Sequence, residues 1–161
     1  MKEKSRGEKT AGIDPATSEV FPVSFSIFSL ARSHQALAGA LLRKLNLYTG
    51  QEIVLMRLWD QDGISQKAIQ ETLQVDHSTV AKSIKRMEAA GLVTTVKSEQ
   101  DRRVTLVYLS DRGKALHQST LEAWAELERR TVRGLTIEEQ TAFIALARKL
   151  EPMVRAEIDS K

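Results

Sequence analysis

The chain is expected to be mainly α-helical with a small antiparallel β-hairpin, and three features of the sequence lead there. Apolar residues recur at helical spacing from Phe25 through Leu45 and again from Leu116 through Val154. Residues 92–96 and 104–109 break that period and are rich in Val, Thr, Leu and Tyr, as strands are. Gly91 stands between the two regimes, where a helix can end with its last residue in a left-handed conformation.

The elements can be justified in order. Residues 1–20 interleave Lys and Glu with Gly7, Gly12 and Pro15, the composition of a disordered or loosely docked arm. A first long helix is expected over residues 21–46, with Phe25, Phe28, Leu30, Leu37, Leu41 and Leu45 at helical spacing. Its start carries more apolar surface than one stripe requires, which burial against a partner chain would explain. A second helix is expected over residues 50–61, with Leu55, Leu58 and Trp59 on one face and an Asp62-Gly63 turn after it. Ser65 can cap a short third helix that points Ile69 and Leu73 inward, and Asp76 can cap a fourth that runs to Ala90.

After the hairpin, Ser110 begins a fifth, long helix that ends at Gly134. It has Leu116, Ala123 and Leu127 on one side and Leu121 and Trp124 on another. Thr136 and Glu139 have the spacing of a capping box that opens a last helix, expected to bury Phe143, Leu146, Leu150 and Val154. Pro152 should kink or interrupt that helix, because it lacks an N–H and crowds the preceding turn. Two helices joined by a brief turn and followed by a two-stranded ribbon make a winged helix-turn-helix.

Composition narrows the chemistry. With 161 residues the chain can bury a core without disulfides or metals. It contains no cysteine, which excludes disulfide staples, Cys-ligated metals and thiol redox sensing, and fits a cytoplasmic location. No stretch approaches the roughly 18 consecutive apolar residues of a membrane span, so no membrane partner is expected. The net charge of +3 is permissive for nucleic acid, and the question becomes where the cations sit.

On a helical wheel of the fourth helix, Val80, Ile84 and Met87 share one narrow face that must bury. Ser78, Lys82, Lys85 and Arg86 fall opposite, with Thr79 at the flank and no acid among them. Hydroxyls near the helix start can hydrogen-bond base edges or phosphates, and the cations beyond can reach phosphates or guanines. The same cations would also suit the solvated side of any amphipathic helix; the elements before and after favour the groove-binding reading. Ser65 and Gln66, at the start of the short helix, and His77, at the start of the next, are further candidates for DNA contact. At the ribbon tip, Lys97, Arg102 and Arg103 could enter a minor groove, and Asp101 could pair with an arginine to direct it or merely stiffen the loop.

These residues resemble the MarR family of transcription regulators. The similarity runs through Leu47-Tyr48-Thr49-Gly50-Gln51, Asp62-Gly63-Ile64-Ser65-Gln66-Lys67 and Val75-Asp76-His77-Ser78-Thr79-Val80. It continues through Arg86-Met87-Glu88-Ala89-Ala90-Gly91-Leu92-Val93, Asp101-Arg102-Arg103 and Leu109-Ser110-Asp111-Arg112-Gly113. The resemblance implies a homodimer held by the first and last two helices, residues 21–46 and 111–161, around a DNA-binding lobe of residues 47–110. It carries recognition positions onto Ser78, Thr79, Lys82 and Arg86, and the wing Asp-x-Arg onto Asp101 and Arg103. It also implies repression of promoters, with release from DNA by a small aromatic or phenolic effector. The strand entering the wing, residues 93–96, lacks the arginines that members often carry there, and the wing lacks the usual proline. Fewer phosphate contacts are expected from that edge.

The expected partner is double-stranded DNA carrying a pseudo-palindromic operator, and the rival reading is a winged-helix protein-interaction module that binds no DNA. No enzyme is expected: there is no Gly-rich phosphate loop, nucleophile elbow or HExxH. No cofactor or metal is expected either, since His34, His77 and His117 fall on different helices and no cysteine could join them. Trp59 and Trp124 are read as core residues, with lining of an effector cavity as the alternative. Arg129, Arg130 and Arg133 complement the helix dipole at the end of the fifth helix.

Overall fold

The computed structural model describes residues 15–160. Residues 1–14 of the expected arm lie outside the described residues; the part that is described, Pro15–Val20, is a short helix, α1. The chain divides into two compact units, residues 1–37 and 38–161. The first holds α1 and most of α2, which spans Pro22–Leu42 and leaves Val23, Ile27, Phe28 and Leu30 exposed. The single long helix expected here ends at Leu42, followed by a 3-10 turn over Arg43–Leu45.

The second unit contains the remaining elements. α3 (Gln51–Asp60) turns over at Asp62, whose Oδ1 accepts from the amides of Gly63 at 3.0 Å and Leu109 at 2.8 Å. α4 (Gln66–Leu73) is capped by Ser65, whose Oγ accepts from the Ala68 amide at 3.1 Å. α5 (His77–Ala89) is capped by Asp76, as its position before the apolar run predicts. The wing strands are β2 (Val93–Lys97) and β3 (Thr105–Leu109), paired antiparallel with Val93 opposite Leu109 and Lys97 opposite Thr105.

A further strand, β1 (Ile64–Ser65), extends the expected two-stranded ribbon to three strands in the order β1-β3-β2, with Ile64 opposite Val107 and Ser65 opposite Leu106. Two residues are too few to show alternation in a sequence. The expected fifth helix is also two, α6 (Asp111–Ala115) and α7 (His117–Thr131). The two meet at Leu116; within α6, a Cβ at Gly113 would lie 2.2 Å from the Leu92 carbonyl oxygen, so α6 is pressed against the backbone that leaves α5.

α8 (Ile137–Asp159) opens with the predicted capping box, Thr136 Oγ1 accepting from the Glu139 amide while the Glu139 carboxylate accepts from the Thr136 amide. Of the two outcomes expected at Pro152, a kink or an interruption, the interruption does not occur: the helix is continuous through it. Pro152 sits on exposed surface, where water can take up the carbonyl freed by the missing N–H. Phe143, Leu146, Leu150 and Val154, expected to be buried, are exposed because nothing among the described residues covers that face.

The core lies between α3, α4, α5 and the sheet. Val54, Leu55, Leu58, Ile69, Val80, Ile84, Met87, Leu92 and Val107 are all essentially inaccessible there. Trp59 packs at its edge and donates from Nε1 to the Gly113 carbonyl at 3.2 Å, with its ring 4.7 Å from that of His117. No helix among the described residues is long and apolar enough to cross a membrane.

Candidate nucleic-acid interface

The sharpest feature of the lobe is the two-sidedness of α5. Val80, Ile84 and Met87 are at most 1% exposed, while Ser78, Thr79, Lys82, Lys85 and Arg86 are all open to solvent. Burial of the aliphatic side fixes the rotation of the helix about its axis, and the polar residues are thereby aimed outward. Among the described residues, the ion pairs join Glu126 to Arg129 and Arg130 and Glu151 to Arg155; none involves Lys82, Lys85 or Arg86. Their charge is therefore not neutralised locally.

The acids that flank this face are held in other work. Glu88 turns to β2, its Oε1 accepting from the Thr95 amide at 3.1 Å and the Thr95 hydroxyl at 2.8 Å. Asp76 sits at the cap, with Oδ1 accepting from the Thr79 amide at 2.9 Å and the Ser78 hydroxyl at 2.6 Å. Its Oδ2 accepts from the Thr79 hydroxyl, also at 2.6 Å. The Ser78 and Thr79 hydroxyls, with the Thr79 amide, hold the Asp76 carboxyl well below the usual carboxylate range.

The far end of α5 is clipped by residues that the sequence pattern did not single out by chemistry. The Ala90 carbonyl accepts from Arg112 Nη1 at 2.6 Å, the Gly91 carbonyl from Ser110 Oγ at 2.5 Å, and the Leu92 carbonyl from the Ser110 amide at 3.1 Å. Gly91 has φ +67°, a left-handed conformation that suits glycine at a helix end. Carbonyls left over at the helix terminus are thus satisfied by the start of α6. The signal lay in the run Ser110-Asp111-Arg112-Gly113, which read as a helix start and not as a clip.

The wing tip is closed by its own backbone. Ser98 donates its amide to the Val104 carbonyl at 3.0 Å, and Val104 donates to the Asp101 carbonyl at 2.9 Å. Asp101 Oδ1 accepts from the backbone amide of Arg103 at 2.9 Å, not from an arginine guanidinium. Asp101 therefore shapes the turn and leaves Arg102 and Arg103 exposed, without an ion pair among the described residues. Lys97 donates from Nζ to Thr105 Oγ1 at 2.8 Å. Of the remaining candidates, Ser65 is engaged in capping α4, Gln66 is half-buried, and His77 is exposed at the first position of α5.

A shallow surface dent with no room for a water-sized molecule lies between the end of α2 and α7, lined by Ala38, Leu41, Leu42, Ala123, Trp124 and Leu127. Trp124 is 36% exposed, so it belongs to this rim and not to the core. Two buried oxygens on α3 and α7, Glu52 Oε2 and Thr120 Oγ1, have no hydrogen-bond partner among the described residues. Burial pushes the Glu52 carboxyl up, against backbone hydrogen bonds at Glu52 and Gly50 that lower it. No group of three or more His, Cys, Asp or Glu among the described residues could hold a metal ion.

The sequence profile of the MarR family matches residues 48–105, which run from the loop before α3 into the wing. Over 98 residues the chain is 32% identical to the organic hydroperoxide resistance transcriptional regulator of Bacillus subtilis (strain 168), covering 61% of this chain and 67% of that one. The chain belongs to the MarR family. As a MarR-family protein it is a DNA-binding transcription regulator and not an enzyme. Among solved structures, that of Bordetella bronchiseptica BpsR, described in terms of regulation of its DNA binding by 6-hydroxynicotinic acid, is 27% identical. It superposes with a TM-score of 0.74 over 81% of this chain and 98% of the other. A mutant MarR from E. coli, complexed with operator DNA, shares the fold, with 22% identity and a TM-score of 0.77 over 83% and 96% of the two chains.

Proposed function

We propose that the chain is a homodimeric repressor that binds a pseudo-palindromic operator and leaves it on binding a small aromatic or phenolic effector. In this reading α5 enters the major groove with Ser78, Thr79, Lys82, Lys85 and Arg86 toward the DNA. His77, Ser65 and Gln66 lie near the phosphates, and Lys97, Arg102 and Arg103 approach the adjacent minor groove. Asp101 orients the wing through its backbone. Residues 47–110 are the DNA-binding lobe, and residues 21–46 and 111–161 supply the dimer contacts.

The observation that carries this reading is the outward face of α5, with three cations that no acid among the described residues pairs with. Such a face is complementary to a polyanion. Exposed apolar side chains on α2 and on α8 support a dimer, because apolar surface of this kind marks an association face. The likeness to BpsR, whose DNA binding is described as regulated by 6-hydroxynicotinic acid, supports the effector. A peroxide signal is disfavoured, since the chain has no thiol to oxidise.

The test is a titration of labelled duplex from the promoter of the chain's own gene, at several salt concentrations, against a scrambled competitor. Affinity should fall linearly with salt on logarithmic axes. Lys82→Ala should weaken binding and reduce the slope by about 1. Absence of salt-dependent duplex binding would overturn the proposal in favour of a protein-interaction module.

A further inference from the structure

An acid at the leading end of a helix that approaches a polyanion calls for a physical reason. Asp76 makes no ion pair among the described residues, yet its carboxylate takes three hydrogen bonds, two of them from the hydroxyls of Ser78 and Thr79 at 2.6 Å. A carboxylate has no proton to give, so in both short contacts the proton belongs to the hydroxyl. Each hydroxyl has one proton and two lone pairs. With the proton turned back to Asp76, the side that Ser78 and Thr79 present outward consists of lone pairs alone.

We infer that Asp76 sets the hydrogen-bond polarity of the recognition helix, making its start an acceptor cluster that reads the exocyclic amino groups of adenine and cytosine in the major groove. The inference rests on the DNA-recognition reading of α5 and specifies what that face selects. In the major groove the donors are adenine N6 and cytosine N4, whereas guanine O6 and N7, thymine O4 and the phosphate oxygens are acceptors. Oxygen lone pairs held against any of the latter leave both partners unpaired, which costs more than a bond to the right base gains. Further along the same face, Lys82, Lys85 and Arg86 are pure donors, suited to guanine and phosphate. The helix therefore passes from side-chain oxygens to cations along its length: acceptors at Asp76, Ser78 and Thr79, donors from residue 82 onward. The carboxylate also gains a purpose, being repelled by phosphate and attracted by an amino group.

Selection from a pool of random duplexes, run with the wild type and with Asp76→Asn, Ser78→Ala and Thr79→Val, tests this. Asn caps a helix about as well as Asp, so α5 should persist with Oδ1 still accepting from the Thr79 amide and the Ser78 hydroxyl, but an amide NH2 replaces the oxygen that accepts from the Thr79 hydroxyl and so frees that proton. The wild-type motif should contain two positions per half-site that favour adenine or cytosine on the contacted strand by roughly tenfold over guanine or thymine. Ser78→Ala and Thr79→Val should each flatten one of these positions and spare the rest, and Asp76→Asn should bring the position read by Thr79 to near parity while sparing the one read by Ser78. The acceptor assignment is overturned if those positions favour guanine or thymine, or if their preference is unchanged in all three variants while a motif is still enriched. If the wild type enriches no sequence at all, the DNA-recognition reading itself fails, and this inference with it.

Discussion

α5 and α8 are both amphipathic helices with a proper N-cap, yet they end in opposite states. The apolar side of α5 is wholly enclosed by its own chain, while no described side chain of α8 is buried, and Phe143, Leu146, Met153 and Val154 are all half or more exposed. The difference separates two kinds of stability. The lobe around α5 is complete within one chain and depends on packing, whereas the outer face of α8 gains nothing until a second surface covers it.

The comparison breaks most visibly in the lobe. Ile84→Ala removes a side chain enclosed by the core and should lower unfolding stability by about 2–5 kcal/mol, read by denaturant titration. The loss should not depend on protein concentration. Leu146→Asp on α8 should do the reverse, leaving the packing of the lobe intact while placing a charge on the association face. Sedimentation should show a monomer, the wild type's rise of Tm with concentration should vanish, and duplex affinity should drop on the order of 100-fold as two linked half-site contacts become one. A dimer that survives Leu146→Asp would remove α8 from the interface.

The smallest effect concerns Glu52, whose raised pKa means that the folded state favours the protonated form. Its contribution to stability is therefore present below the ordinary carboxyl value and is lost as pH rises through the raised one. Glu52→Gln should be more stable than the wild type at neutral pH, with the advantage shrinking as the medium becomes acidic. Thermal melts at a series of pH values read this directly, and an advantage that is constant with pH would contradict it.

How far this architecture could be read in advance follows from the range of the forces involved. The burial of Val80, Ile84 and Met87 and the caps at Ser65, Asp76 and Thr136 were legible, because each depends on residues within two turns of one another. The close approach of Gly113 to the Leu92 carbonyl was not, since it joins residues twenty-one positions apart across the fold. The exposure of α8 was half legible: the period announces an apolar face, and nothing in the period says which chain supplies the cover. At the candidate site, Lys82, Lys85 and Arg86 could be placed by angle alone. The choice of Asp101 between a guanidinium and a backbone amide depends on the local turn, which composition does not encode.

The pairing of Ile64–Ser65 with Leu106 and Val107 has a mechanical consequence. Ser65 is at once a rung of the sheet and the cap of α4, so a displacement of β3 would be felt directly at the start of that helix. One serine thereby belongs to two elements at once, and a substitution there would disturb sheet and helix together.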